Sequence, residues 1–164
     1  SIDLWGLDLS VKALLNDRWS ATASASFVND DRFEYVLGSD TTDVTLNAPK
    51  FKAAGTLGYQ HAGPTGFSGE VRLRYTDGFP ALSGVYQGSR CLFEGAPPVA
   101  VAIEDCVASH ALVDLLLNYD VPMSPGLSID LSVQNLFDEN YRSFPGVPNI
   151  GRMALLRLRY AFGR

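Results

Sequence analysis

The sequence has 164 residues, a formal net charge of −5 and a mean hydropathy close to zero. That length suits one ordinary domain, the acidic balance argues against nucleic acid as a partner, and no run is long and apolar enough for a transmembrane helix. Mild hydropathy does not exclude a membrane, because the strands of a transmembrane barrel alternate and average out. Gly, Ser, Thr, Tyr and Phe are plentiful, which favours strands and turns, and no stretch keeps a helical period. Ser1 opens directly on strand-like sequence, without an initiating Met or signal peptide, so a processed or partial product is expected.

The chain reads as about seven strands of period two. In the first, Trp5, Leu7, Leu9, Val11 and Ala13 alternate with Gly6, Asp8, Ser10 and Lys12. Asn16 and Asp17 form a short turn. Trp19, Ala21, Ala23, Ala25 and Phe27 then alternate with Ser20, Thr22, Ser24 and Ser26. Residues 29–47 read as a long polar segment, acidic through Asp30, Asp31, Asp40 and Asp43. The third strand sets Phe51, Ala53, Gly55, Leu57 and Tyr59 against Lys50, Lys52, Ala54 and Thr56. After a compact turn over residues 61–66, the fourth sets Phe67, Gly69, Val71, Leu73 and Tyr75 against Ser68, Glu70, Arg72, Arg74 and Thr76. Residues 77–108 form the longest irregular segment and hold both cysteines. The fifth strand places Ala111, Val113, Leu115, Leu117 and Tyr119 on one face; the other mixes His110, Asp114, Asn118 and Asp120 with Leu112 and Leu116. Breakers at residues 122–126 make a turn. The sixth sets Leu127, Ile129, Leu131 and Val133 against Ser128, Asp130, Ser132 and Gln134. In the last, Ala154, Leu156, Leu158, Tyr160 and Phe162 share one parity and Arg157 and Arg159 the other.

Two regularities point to a transmembrane antiparallel β-barrel. Short links near Asn16, at 61–66 and at 122–126 alternate with long ones at 29–47, 77–108 and 135–150. Bacterial outer-membrane barrels have short periplasmic turns and long extracellular loops, so the short links are expected in the periplasm. Aromatic residues also bracket the apolar rows: Trp19 with Phe27, Phe51 with Tyr59, and Phe67 with Tyr75. Eight residues at about 3.4 Å each, tilted by about 40°, span roughly 21 Å of membrane normal, close to the ~25 Å apolar band of such barrels. Trp5, Tyr119 and Phe162 extend the same two girdles, since aromatic rings favour the membrane interface. The apolar faces are expected to meet outer-membrane lipid. Lys50, Lys52, Glu70, Arg72, Arg74, Asp114, Asp130, Arg157 and Arg159 are expected to line the lumen.

The segment Asn135 to Tyr141, NLFDENY, with the following SFPGVPNIGR and the strand ending at Phe162, resembles the C-terminal end of TonB-dependent outer-membrane receptors. Asn47-Ala48-Pro49-Lys50 is similar to the "NAPK" lead into a strand of the same family. Gly163 and Arg164 follow the final aromatic, where family members commonly stop. The resemblance implies a barrel of about 22 strands filled by an N-terminal plug, taking up scarce ligands such as siderophores, cobalamin or glycans with energy from the inner-membrane TonB machinery. Seven strands leave two open edges, which lipid does not tolerate, and no plug or TonB-contact segment is recognisable. The whole chain, residues 1–164, is therefore expected to be the C-terminal part of the barrel domain, with plug and earlier strands absent. The alternatives are a structural barrel component of a multi-chain outer-membrane complex and a small independent porin-like barrel.

Catalytic chemistry finds little support. His110 and Asp114 share a face, but four strand residues separate them by roughly 13 Å. Ser109 reads as the start of a strand, His61 lies in a turn, and the acids of 29–47 match no metal loop. No cofactor, metal or enzymatic activity is expected. Cys91 and Cys106 share one long loop expected outside the cell, where an even pair favours a disulfide. Closing that loop is worth about 3 kcal/mol in the chain-entropy view.

Overall fold

The structure is a computed structural model. It describes residues 3–37, 40–63, 65–81, 106–144 and 147–162, with backbone alone for 34–37, 40–43 and 106. It is all-β: β1 (Gly6–Leu14), β2 (Trp19–Val28), β3 (Arg32–Leu37), β4 (Asp40–Thr45), β5 (Phe51–Tyr59), β6 (Gly66–Thr76), β7 (Phe79–Pro80), β8 (Cys106–Val107), β9 (His110–Asp120), β10 (Leu127–Gln134) and β11 (Met153–Tyr160). Seven of these form one antiparallel sheet in the order β1-β2-β5-β6-β9-β10-β11. Each expected strand is found within a residue or two of its expected ends.

Neighbouring strands pair with no slip of parity. One continuous row runs Ala13–Ala21–Leu57–Val71–Leu115–Val133–Ala154, and the next Ser20–Gly58–Glu70–Leu116–Ser132–Leu155. Because side chains alternate along a strand, in-phase pairing gathers every odd residue of β1, β2, β5, β6, β9 and β10 on one face. The even residues of β11 join them. The first face is apolar and the second mostly polar. The sheet curls around its polar face, enclosing a hollow of about 780 Å3 lined by Lys12, Ser20, Glu70, Asn118, Asp130 and Arg157 among others. The apolar face is therefore convex, and it is bare: Leu9, Val11, Leu73, Leu156 and Leu158 are all exposed. The sheet is a single layer with no conventional core. The buried apolar residues among those described are few, and the one cluster joins Phe79, Ala81 and Val107 of one long link to Phe144 of another.

The links divide by length. Those joining β1 to β2, β5 to β6 and β9 to β10 are short and lie at one end of the sheet; those joining β2 to β5, β6 to β9 and β10 to β11 lie at the other. Residues 29–47, expected as a polar segment, instead build a hairpin in which Arg32 pairs with Thr45 and Leu37 with Asp40. On β3, Phe33, Tyr35 and Leu37 share one parity, so a period of two is present inside a segment whose net character is polar. Asn47 takes a left-handed conformation (φ 56°) just before β5, a region Asn tolerates better than most residues. In the next long link, β7 and β8 pair for two residues only.

The turn after β9 is set by Gly126. Its φ is +92°, and its carbonyl accepts the Ala161 amide at 2.9 Å, which docks the end of β11. A Cβ at this position would lie 2.6 Å from the Ala161 carbonyl oxygen. Gly126→Val combines a disfavoured φ with that clash. We expect it to cost about 1–3 kcal/mol, measured as a lower temperature for loss of the compact, heat-modifiable species on unboiled gels.

Candidate functional site

The polar concave face carries the chemistry. Its most organised part is where β6 and β9 meet the start of the β10–β11 link. Arg74 and Asp114 lie diagonally across the β6–β9 pair, because Asp114 is opposite Arg72 in register. Arg74 donates to both carboxylate oxygens of Asp114, at 2.7 and 3.0 Å. This bidentate geometry is the strong form of the ion pair. Asp114 is 5% exposed, and its Oδ1 also accepts the backbone N–H of Asn135 at 3.0 Å.

Asn135 then ties the link together. It sits just beyond β10 in a left-handed conformation (φ 54°) and is 2% exposed. Its side-chain oxygen accepts the Glu139 amide at 2.8 Å, and its Nδ2 donates to the carbonyls of Glu139 (2.7 Å) and Ile150 (3.4 Å). Three residues on, Asp138 is also left-handed (φ 61°), and its carboxylate accepts the Arg152 amide. Tyr141 bridges to Ile150 and stacks on His110 with ring centroids 4.6 Å apart. Arg142 donates to Asn149 at 2.7 Å. The sequence NLFDENY is thus a polar knot in which Asn135, Asp138 and Tyr141 all hold the lead into β11, at Ile150 and Arg152, and Tyr141 also meets the start of β9 at His110.

A second polar ladder lies nearer the short links. Ser68 donates to Asn118 (3.3 Å), Asn118 donates to Asp130 (2.7 Å), and Arg159 donates to the other oxygen of Asp130 (2.7 Å). Glu70 pairs with Arg72 along β6 at 3.0 Å. At the opposite end Lys50 approaches Asp30 at 4.0 Å, while Lys52 lies opposite Ser26 and Thr76. Arg157 stands opposite Asp130 in register. All nine charged residues singled out from the sequence share this face.

The aromatic residues occupy the other face, near its two ends. Trp5 packs on Phe27 at 5.7 Å, Phe27 lies opposite Phe51, and Phe51 packs on Tyr75 at 6.1 Å. Towards the short links, Trp19 packs on Tyr59 at 5.0 Å, Phe67 lies opposite Tyr119, and Tyr160 meets Phe162 edge-on at 4.7 Å.

This arrangement suits a barrel wall and offers no reacting centre among the described residues. The "TonB dependent receptor-like, beta-barrel" family model matches residues 1–136. The chain belongs to the TonB-dependent receptor β-barrel family. Two solved structures share its fold. The siderophore receptor PiuA from Acinetobacter baumannii matches 96% of this chain and 21% of its own at 18% identity and a TM-score of 0.61. The copper transporter OprC matches 97% of this chain and 23% of its own at 18% identity and a TM-score of 0.56. The chain thus spans about a fifth of the length of either. No curated protein sequence matches it significantly. The family is one of outer-membrane receptors and transporters.

Within this TonB-dependent receptor barrel, sequence reasoning recognised the NLFDENY segment but not what Asn135 and Asp138 do. The available signal was the residue type: Asn and Asp are the non-glycine residues that most readily take positive φ. His110 and Asp114 do not work as a pair; they meet Tyr141 and Arg74 respectively. The Cys91–Cys106 bridge lies outside the described residues, since Cys91 falls in 82–105.

The two ion pairs differ in environment, so their removal has different costs. Arg74→Ala leaves a carboxylate only 8% exposed at its side chain with one backbone donor. Partial exposure of Arg74 itself screens the pair, which puts the expected loss near 3 kcal/mol, at the low end for a broken buried pair. Arg159→Ala removes a partner 61% exposed, and exposed pairs are worth about 0–1 kcal/mol. Denaturant titration of the folded barrel in detergent should rank the two in that order, with Asn135→Ala close to Arg74→Ala.

Proposed function

We propose that this chain forms consecutive wall strands, the C-terminal ones, of an outer-membrane TonB-dependent receptor that takes up a scarce ligand with energy supplied from the inner membrane. The observation that supports this reading best is the open seven-stranded sheet with a bare apolar convex face and a charged concave face. Bare apolar side chains on the convex face of six of the seven strands need an apolar solvent, and lipid is one. The two edges, β1 and β11, need further strands, since an unpaired backbone group in hydrocarbon costs several kcal/mol.

In this reading residues 1–164 belong wholly to the barrel domain, and earlier strands and a plug complete the receptor. The convex aromatic rows lie at the two membrane interfaces. The concave charges, Lys50, Lys52, Glu70, Arg72, Arg74, Asp114, Asp130, Arg157 and Arg159, face the lumen and the plug. Short links lie in the periplasm and long links outside, with Cys91 and Cys106 joined in one of them. The ligand belongs to the class of siderophores, cobalamin and glycans; the siderophore receptor and the copper transporter that share the fold support a metal-linked cargo within or beside that class.

Two measurements test this. Cells carrying the complete receptor should take up radiolabelled ferric siderophore, cobalamin or oligosaccharide saturably, and inactivating TonB should abolish the uptake. Uptake of all three that is absent or indifferent to TonB would overturn the reading. For the cysteines, intact cells should label with a membrane-impermeant maleimide at positions 91 and 106 only after reduction. Labelling of both without reductant would remove the bridge.

A further inference from the structure

The concave face divides into two halves by chemistry. On β6, β9, β10 and β11 the charged side chains hold one another: Arg74 grips Asp114, Arg72 meets Glu70, and Arg159 and Asn118 share Asp130. The cations of that half are arginines. All three lysines of the sequence, Lys12, Lys50 and Lys52, stand instead on β1 or at the start of β5. The planar fork of arginine suits fixed, bidentate pairs, whereas lysine is a compact, hydrated point charge on a flexible stem.

Between the lysines the wall carries short hydroxyls. Lys52 lies opposite Ser26 on one side and Thr76 on the other. Two residues back along β2, Ser24 is opposite Ser10, and two further back Thr22 is opposite both Lys12 and Thr56. Lys12, Thr22, Ser24, Ser26 and Lys52 are exposed, and none of their side chains makes a hydrogen bond or ion pair among the described residues. A hydroxyl both donates and accepts, so such a strip can stand in for water around a polar solute at each step. Lys52 and Lys12 are offset by four strand residues, roughly 13 Å. Asp8 is the one acid on β1, β2 and β5. It is opposite Ser26, two strands from Lys52. That is roughly 10 Å, beyond the ~8 Å over which exposed charges act at physiological salt.

Conduction needs sites that attract a solute yet let it leave. A wall of bidentate pairs offers little free charge, whereas single hydroxyls between separated lysines attract weakly and repeatedly. We propose that the strip on β1, β2 and β5 is the side of the lumen along which the solute passes. Lys52, nearer the long links, receives its carboxylate or other oxyanion groups, and Lys12, nearer the short links, passes them on. The proposal rests on the barrel reading above and adds to it a side of the wall and a sign of charge for the cargo.

The test uses the complete receptor in intact cells. Ser24→Cys places a thiol midway along the strip. A sulfonate-bearing methanethiosulfonate reagent and its trimethylammonium counterpart are applied in turn, and modification of position 24 is followed by mass spectrometry of its peptide. Relative to a small thiol in solution, the anionic reagent should react about tenfold faster than the cationic one, the low end of what a charged cleft does to arrival rates. Lys12→Gln with Lys52→Gln should return the ratio to that of the free thiol. Ser132→Cys, on the wall of paired charges, should react with both reagents more slowly than Ser24→Cys. A position 24 that stays unmodified, shows no anionic preference, keeps that preference without the lysines, or reacts no faster than position 132 would overturn the proposal. Should Ser24→Cys fail to fold, Ser26→Cys is read by the same criteria. Uptake by the unaltered receptor, with and without TonB, is measured separately, so failure of the strip and failure of the receptor reading are told apart.

Discussion

The structure depends on one constraint: cross-strand pairing that never loses phase. Successive side chains of a strand point to opposite faces, so a slip of one residue anywhere would exchange the two faces of every strand beyond it. Here the apolar row through Leu57, Val71, Leu115 and Val133 and the polar row through Thr56, Arg72 and Asp114 run side by side without crossing. In a single layer this separation substitutes for a core. A β-sandwich hides its apolar face against a second sheet; this sheet leaves Leu9, Leu73 and Leu158 bare, and only a solvent of low polarity makes that arrangement stable. The rings of Trp5, Phe27, Phe51 and Tyr75 stand at one end of that apolar face and those of Trp19, Tyr59, Phe67 and Tyr119 at the other.

Pairing alone does not order the ends. At the short links the chain reverses within a few residues, and one glycine with positive φ suffices at position 126. At the long links the chain must travel further, and polar side chains do the holding. Asn135 replaces ladder hydrogen bonds with its own amide group, while Asp114 reaches from β9 to fix the Asn135 N–H. Arg74 neutralises that buried carboxylate from β6. Three strands and one link are thereby joined at a single point. The charged residues of the concave face therefore do two different things. Arg74 and Asp114 hold backbone in place, whereas Asn118, Asp130 and Arg159 tie β9, β10 and β11 side chain to side chain nearer the short links.

The seven wall strands were legible because half-exposed strands carry their own period. Phe51 to Tyr59 and Phe67 to Tyr75 can be read from alternation alone. The hairpin of β3 and β4 was not read, although Phe33, Tyr35 and Leu37 alternate and Gly-Ser stands between two strand-like runs, because its net polarity masked the period. β7 and β8 are too short to have a period at all. The polar knot was legible only as a motif. Its contacts join Asn135 to Asp114, twenty-one residues away, and to Ile150, fifteen away, and no local pattern encodes such distances.

Strand direction carries the argument one step further. β1 runs from the long-link end to the short-link end, and so does β11, because the six antiparallel pairings between them reverse direction an even number of times. Direct closure of β1 on β11 would join two strands that point the same way, and so would a ring of identical copies arranged about one axis. Either would place a parallel seam in an otherwise antiparallel wall. Bacterial single-chain barrels carry even numbers of antiparallel strands. Strands that complete this sheet as an antiparallel barrel must therefore be odd in number, with the first and last of them running opposite to β1 and β11. A segment of the same receptor meets that requirement, whereas a symmetric assembly of this chain alone does not.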